Sequence, residues 1–243
     1  MLLTKHIERP YYLCTMSRSQ SANMPSTKAP LTLIVAATPK NGIGKNGALP
    51  WPMLKKEMAY FARVTKRVPT STSTSSNPSK AESEQAKSLP RNAVIMGRKT
   101  WDSIPPKFRP LKDRTNIVIS SQERGALSGV TDDVIVSSSI FDGLNELEAA
   151  AQSGRAPALG RAYVIGGARI YEAAMELEQT KHVLLTRVAK EYECDTFFPD
   201  LEGSEHWAKK ERKELEEFVG EEVVEGGLEE DGVKYEFQLW DRK

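Results

Sequence analysis

The chain has 243 residues, a formal net charge of +1 and 39% hydrophobic residues, enough to bury a sizeable core in one domain. Near-neutral charge without a long basic block argues against nucleic acid as the main partner, and no stretch approaches the ~18 apolar residues of a membrane-spanning helix. Cys14 and Cys194 lie too far apart in the sequence to mark a disulfide framework, and the scattered His6, His182 and His206 set no metal site.

Residues 1–28 combine Pro10, several Ser and Thr, and basic Lys5, Arg9, Arg18 and Lys28 with one acid, Glu8. They read as a disordered extension outside the fold, with an organelle-targeting peptide as the other reading and Met16 and Met24 as alternative starts. Leu31 to Ala37 is an apolar, β-branched run that reads as a strand buried on both faces. Asn41 to Gly47 is too rich in turn residues for regular structure. Leu49-Pro50-Trp51-Pro52 then leads into a helix from about Met53 to near Arg67, with Pro52 at its first position. Leu54, Met58 and Phe61 form its apolar face, and Glu57 shares that face or its edge. The Ser/Thr-rich stretch at about 68–90 reads as a disordered surface insert.

Order resumes at Ala93–Met96, a strand that Gly97-Arg98-Lys99-Thr100 turns into a short helix through Trp101. Ile104–Pro106 and Arg109–Lys112 read as irregular, and Thr115–Ser120 as a strand. Val134–Val136 is another strand, and Ser139 offers an N-cap for a helix carrying Leu144, Leu147 and Ala151. Ala162–Ile165 is a strand ending in Gly166-Gly167, followed by a helix from Ala168 to about Met175. Val183–Val188 reads as a strand and Asp195–Pro199 as an ordered loop. Strands near His206–Arg212 and Val233–Trp240, with no helical pattern between them, form a hairpin joined through Gly226-Gly227. The result is an α/β fold: a central, mostly parallel sheet of about eight strands flanked by helices, with a C-terminal antiparallel hairpin.

In such sheets ligands bind at the carboxyl ends of the strands. Gly166-Gly167 and Gly97-Arg98-Lys99-Thr100 both end a strand and open a helix, leaving backbone N–H groups for phosphate. Arg98 and Lys99 sit at the positive end of a helix dipole, which an anionic partner would explain. Ser120-Ser121 closes a third strand with hydroxyls. Two such helix starts and a cation pair point to a phosphorylated dinucleotide, yet no G-x-G-x-x-G fingerprint follows a strand, so the scaffold is not the usual dinucleotide fold.

The ordered set Gly42-Ile43-Gly44-Lys45-Asn46-Gly47, Leu49-Pro50-Trp51, Glu57, Met96-Gly97-Arg98-Lys99-Thr100-Trp101 and Ile165-Gly166-Gly167 resembles the dihydrofolate reductases, the eukaryotic and fungal members above all. The resemblance implies NADPH-dependent reduction of 7,8-dihydrofolate to tetrahydrofolate, with hydride to C6 and a proton to N5. It places Glu57 under the pterin as the ionisable group, its pKa raised by burial beside Phe61 and Leu49, with Thr186 as its hydrogen-bonding partner and Leu49 and Trp51 in the closing loop that spans Gly42 to Trp51. On the substrate side it implies Ile34, Val35, Ala36, Met58, Phe61, Ile104, Pro105, Leu111, Ile165 and Tyr171, with Arg114 pairing the glutamate α-carboxylate; Arg109 and Lys112 are surface cations that steer. For the cofactor it implies Ala36, Ile43, Gly47, Gly97, Arg98, Lys99, Thr100, Ser120 and Ser121, then Gly166 and Gly167 joined by a cis peptide, Ala168, Arg169 and Ile170. Asp195 matches a loop-anchoring position. It further implies a monomeric, cytoplasmic enzyme open to antifolates, with mitochondrial import through the extension as an alternative. Two other readings stay open: a riboflavin-pathway reductase of the same fold, and a non-catalytic nucleotide-binding protein.

Overall fold

The computed structural model describes residues 29–69 and 89–243; the readings of residues 1–28 and of most of the Ser/Thr-rich insert lie outside the described residues. In chain order the elements are β1 (Leu31–Ala37), β2 (Gly42–Gly44), α1 (Lys55–Lys66), β3 (Arg91–Gly97), α2 (Arg98–Ser103) and β4 (Thr115–Ile119). Then come β5 (Ile135–Ser137), α3 (Ile140–Gln152), β6 (Leu159–Val164), α4 (Ala168–Met175), β7 (Thr180–Val188) and β8 (Thr196–Phe197). The C-terminal part adds β9 (Trp207–Lys209), α5 (Arg212–Val219), β10 (Leu228–Glu230) and β11 (Val233–Arg242).

One sheet runs in the order β10-β11-β7-β1-β6-β3-β4-β5, with β9 also on β11. From β7 to β5 every pairing is parallel; β11 lies antiparallel to β7, β9 and β10. The strands read as continuous apolar runs because both faces are covered. Leu31, Leu33 and Val35 enter one core with Leu144, Leu147 and Ala174 from α3 and α4, while Ile34, between them, enters the opposite core with Tyr60, Val64 and Leu215 from α1 and α5. Ser139 caps α3 as expected, its hydroxyl accepting from the Asp142 N–H at 3.0 Å.

Several expectations are corrected. α1 starts at Lys55 rather than Met53, and Pro52 stays outside it. The reason is a third apolar cluster: Trp51 and Leu54 are drawn in among Val188, Val233 and Tyr235, so the chain arrives extended and turns helical only after Leu54. The buried face of α1 is therefore Tyr60, Val64 and Thr65; Met58 is 45% exposed and Phe61 half-buried. The glycine-rich segment and the Asp195–Pro199 loop, read as irregular, pair as β2 and β8. The contact leaves no room for a side chain at Gly42, where a Cβ would lie 2.4 Å from the Cys194 sulfur.

The tail holds a helix that was not expected. Glu211 and Glu214 form a reciprocal capping box at the start of α5, Leu215 and Val219 bury its inner face, and left-handed Gly220 ends it. The terminal hairpin is accordingly β10–β11, turning at Asp231-Gly232, and β9 is a separate partner of β11.

Candidate active site

β1 and β6 pair over only three positions, Leu31 with Ala162 through Leu33 with Val164, and then part. β1 continues alongside β7 as far as Ala37 with Arg187, while the chain after β6 stays with β3, Ile165 N–H bonding the Ile95 carbonyl at 2.9 Å. A slit opens at the carboxyl ends of the two strands, with Ile34, Val35 and Ala36 on one lip and Ile165, Gly166 and Gly167 on the other. At the Ile34 level a hydroxyl takes the place of the sheet ladder: buried Tyr171 donates to the Ile34 carbonyl at 2.7 Å. Tyr171, expected to touch substrate, thus has its hydroxyl engaged in holding the lip.

α1 brings Glu57 to the β1–β7 side of this slit, since Thr186, which it meets, pairs with Ala36 of β1. The Glu57 carboxylate accepts from the Thr186 hydroxyl at 3.2 Å, from β7. Burial, the dominant cause, raises the Glu57 pKa from the ordinary 4.5 to about 7; the Thr186 hydrogen bond opposes the shift and the negative charge of Glu230 adds to it. The result is a carboxyl that can exchange a proton at neutral pH.

Phe61, Ile104, Leu111 and Ile165 are half-buried against the second core, while Met58 and Pro105 are exposed. Beside Phe61 lies Arg114, 7% exposed, its guanidinium donating to Thr65 Oγ1 at 2.8 Å and the Lys112 carbonyl at 3.0 Å, 5.9 Å from the centre of the Phe61 ring. Burial lowers its pKa, and nearby Asp113 opposes this through its charge while turning its own carboxylate to Lys66 at 2.9 Å. A buried guanidinium held by neutral acceptors is suited to an incoming carboxylate. Arg109, expected at the surface as a steering cation, is instead buried along its side chain and bonds the Trp101 carbonyl at 3.1 Å, its planar head stacked towards the Trp101 ring. Lys112 is exposed, as expected.

On the other lip the starts of α2 and α4 lie side by side. Gly97 N–H donates to the Gly166 carbonyl at 2.7 Å, and Thr100 Oγ1 is the neighbour that a Cβ at Gly167 would meet, at 3.4 Å. Neither helix has a capping side chain or an acid in its first turn, although the Ile170 N–H at the start of α4 turns back on the Gly167 carbonyl at 2.8 Å. Gly166 and Gly167 are joined by a cis peptide, as the resemblance implied. Gly166 is left-handed at φ 107° with the Tyr171 ring against it, and a Cβ on Gly97 would strike Ile170 at 2.9 Å, so both positions require glycine. Exposed Lys99 and Arg169, half-buried Arg98 and Ala168, and Ser120 and Ser121 surround these starts. Arg98 is already paired with Asp102 at 2.9 Å, and Ser120 Oγ accepts from Gln122 N–H.

The segment from Gly42 to Trp51 leaves the end of β1, Thr38 N–H bonding the Gly42 carbonyl at 2.9 Å, and pairs with β8. Its tip, with left-handed Asn46 and Gly47, is anchored by Asp195, which accepts from Asn46 N–H at 2.7 Å, and by the Lys45–Glu193 pair at 2.6 Å. Ile43 packs against the first core, Trp51 is buried against Tyr192, and Leu49 is 51% exposed at the mouth. Sequence reasoning did not single out Arg187, which clamps the start of this segment through the Thr38 carbonyl at 2.6 Å and Asn41 Oδ1 at 2.9 Å. Nor did it single out Glu230, which accepts from Lys56 N–H at the start of α1. Both contacts join residues more than a hundred positions apart and carry no local signature.

A parallel sheet split at its centre, with an acid on one side and paired helix starts on the other, defines an α/β protein with its site at the carboxyl ends of the strands. Residues 85–223 match the dihydrofolate reductase family model. The chain is 41% identical to the dihydrofolate reductase of Pneumocystis carinii, over 87% of this chain and 96% of that one. To the Cryptococcus neoformans enzyme it is 39% identical, over 88% and 96%. Among solved structures the Schistosoma mansoni dihydrofolate reductase superposes with a TM-score of 0.65 at 30% identity, covering 88% of this chain and 99% of that one. The chain belongs to the dihydrofolate reductase family. That sets aside the riboflavin-pathway and non-catalytic readings.

Proposed function

We infer that the chain reduces 7,8-dihydrofolate to 5,6,7,8-tetrahydrofolate with NADPH, Glu57 being the group that fixes the pterin and handles its proton. The observation that carries this reading is the Glu57 carboxyl, raised to about 7 and hydrogen-bonded to Thr186 at the mouth of the slit between β1 and β6. When ionised it accepts two parallel hydrogen bonds from the pterin 2-amino group and N3; its raised pKa keeps a proton available near neutral pH for the gain at N5. Ile34, Val35, Ala36 and Ile165 bound the ring, Met58, Phe61, Ile104, Pro105 and Leu111 the benzoyl group, and Arg114 receives the glutamate carboxylate.

NADPH supplies the hydride. The open cradle at Gly167 and the uncapped starts of α2 and α4 fit its phosphates, with Gly97, Arg98, Lys99, Thr100, Ser120, Ser121, Gly166, Gly167, Ala168, Arg169 and Ile170 around them. Ala36, Ile43 and Gly47 lie toward the nicotinamide end, and Leu49 and Trp51 belong to the segment that excludes water there. The enzyme acts as a cytoplasmic monomer and takes antifolates in the pterin slit. The test is NADPH oxidation by purified protein with dihydrofolate, with and without methotrexate, repeated with Glu57→Ala. Methotrexate-sensitive oxidation that Glu57→Ala abolishes, with NADPH binding retained, is expected; equal loss of turnover and NADPH binding refutes the assignment of Glu57.

A further inference from the structure

α1 carries Glu57 in its first turn, yet its own N-cap residue, Leu54, offers no capping side chain. The cap comes from the far end of the sequence. Glu230, the last residue of β10, places both carboxylate oxygens against the Lys56 N–H, at 2.6 and 2.8 Å, and Lys56 immediately precedes Glu57. The Tyr235 hydroxyl on β11 reaches the same carboxylate at 3.4 Å. The hairpin that presents Glu230 is itself wedged against the start of α1, since Val233 and Tyr235 share a cluster with Trp51 and Leu54.

We propose that Glu230 is a positioning residue for the reductase reaction: it holds the first turn of α1 from the terminal hairpin and so keeps Glu57 on Thr186 at the slit. A carboxylate at this helix start also meets the positive end of the dipole, which favours the docked arrangement. The groups that face Glu57 are Thr186 from β7, Glu230 from β10, Tyr235 from β11, Tyr60 from its own helix and Tyr171 from α4. Burial keeps the three tyrosines neutral, so among these Glu230 alone presents a charge, and that charge supports the raised Glu57 pKa. The hairpin thus holds the acid in place and adds, through the Glu230 charge, to a rise in its pKa that burial dominates.

This rests on the assignment of Glu57 above, and the experiment separates the two. Turnover is measured against pH for the wild type, Glu230→Gln and Glu230→Ala. Glu230→Gln keeps an acceptor for Lys56 N–H and removes the charge; its profile is expected to shift down by about half a pH unit, a roughly 3-fold loss on the alkaline side, with the acid-side plateau intact. Glu230→Ala removes both, and the acid-side plateau itself should drop ~10-fold while the KM for NADPH stays unchanged. An unmoved midpoint in Glu230→Gln, or a Glu230→Ala variant that loses thermal stability alone, overturns the proposal. A wild-type profile with no inflection near neutrality, together with full turnover by Glu57→Gln, overturns the assignment of Glu57 and the proposal with it.

Discussion

Replacing Glu57 by glutamine should make the ligand-free protein more stable, by an amount that grows as pH rises from about 4.5 to 7. Burial raises the Glu57 pKa from 4.5 to about 7, so the folded state binds its proton more tightly than the unfolded chain does. Below pH 4.5 both states are protonated and the group costs nothing. As pH rises through the interval to 7 the folded state must carry or shed a proton the unfolded chain has already lost, and stability falls. At 1.36 kcal/mol per pH unit the full penalty is about 3 kcal/mol, or about 2 kcal/mol after allowance for water at the open mouth of the slit. Glutamine is isosteric, cannot ionise, and still accepts the Thr186 hydroxyl. Urea denaturation of ligand-free wild type and Glu57→Gln is therefore expected to give a variant ~2 kcal/mol more stable at pH 8 and nearly equal at pH 4, with turnover lost at both. A gain of equal size at both pH values, or a loss at pH 8, would mean that the carboxyl is not desolvated and that the proton argument fails.

Arg114→Gln should raise the KM for dihydrofolate ~100-fold, consistent with about 2–3 kcal/mol for a charge-assisted pair, and leave the KM for NADPH alone; an unchanged KM would place the glutamate tail elsewhere. Tyr171→Phe leaves the Ile34 carbonyl without its partner and should cost 1–3 kcal/mol in chemical denaturation, roughly the penalty for an unsatisfied buried acceptor. Gly166→Ala forces a methyl group toward the Tyr171 ring at a left-handed position, so a melting temperature within a degree of wild type would contradict the packing described. Glu211→Ala removes one half of the α5 capping box and is expected to lower stability by about 1 kcal/mol without altering turnover.

The parallel core was readable in the sequence because a strand covered on both faces has a continuous apolar signature, as Leu31–Ala37 and Thr115–Ile119 do. α5 was missed because its residues, Arg212 to Val219, are mostly charged, and its apolar side is reduced to Leu215 and Val219 under a single layer of packing. A Glu-x-x-Glu spacing at Glu211 and Glu214 was the available signal, but it is common enough in acidic tails to go unnoticed. The start of α1 was misplaced because Pro52 suits a helix locally, whereas Trp51 and Leu54 are captured by strands from the other end of the chain. Arg109 was misread for a similar reason: an arginine among prolines looks solvated until the Trp101 ring beneath it is seen. Glu57 was legible from its place among the motifs, and so was the direction of its pKa, since burial at that position raises a carboxyl as the structure has it.

The parting of β1 from β6 bears on how tightly ligands can be held. Because the strands part after Leu33 and the Tyr171 hydroxyl occupies the Ile34 carbonyl, the gap belongs to the sheet itself and no ladder hydrogen bond at Ile34 has to be broken by an arriving ring. A flat heterocycle therefore keeps its contact energy instead of losing part of it to separating two strands, the advantage of any preorganised receptor. The same rigidity exposes the enzyme to inhibition: a planar mimic that forms the fork with Glu57 inherits the advantage in full, so resistance should arise at the half-exposed rim around Met58 and Leu49 and not along the lips themselves.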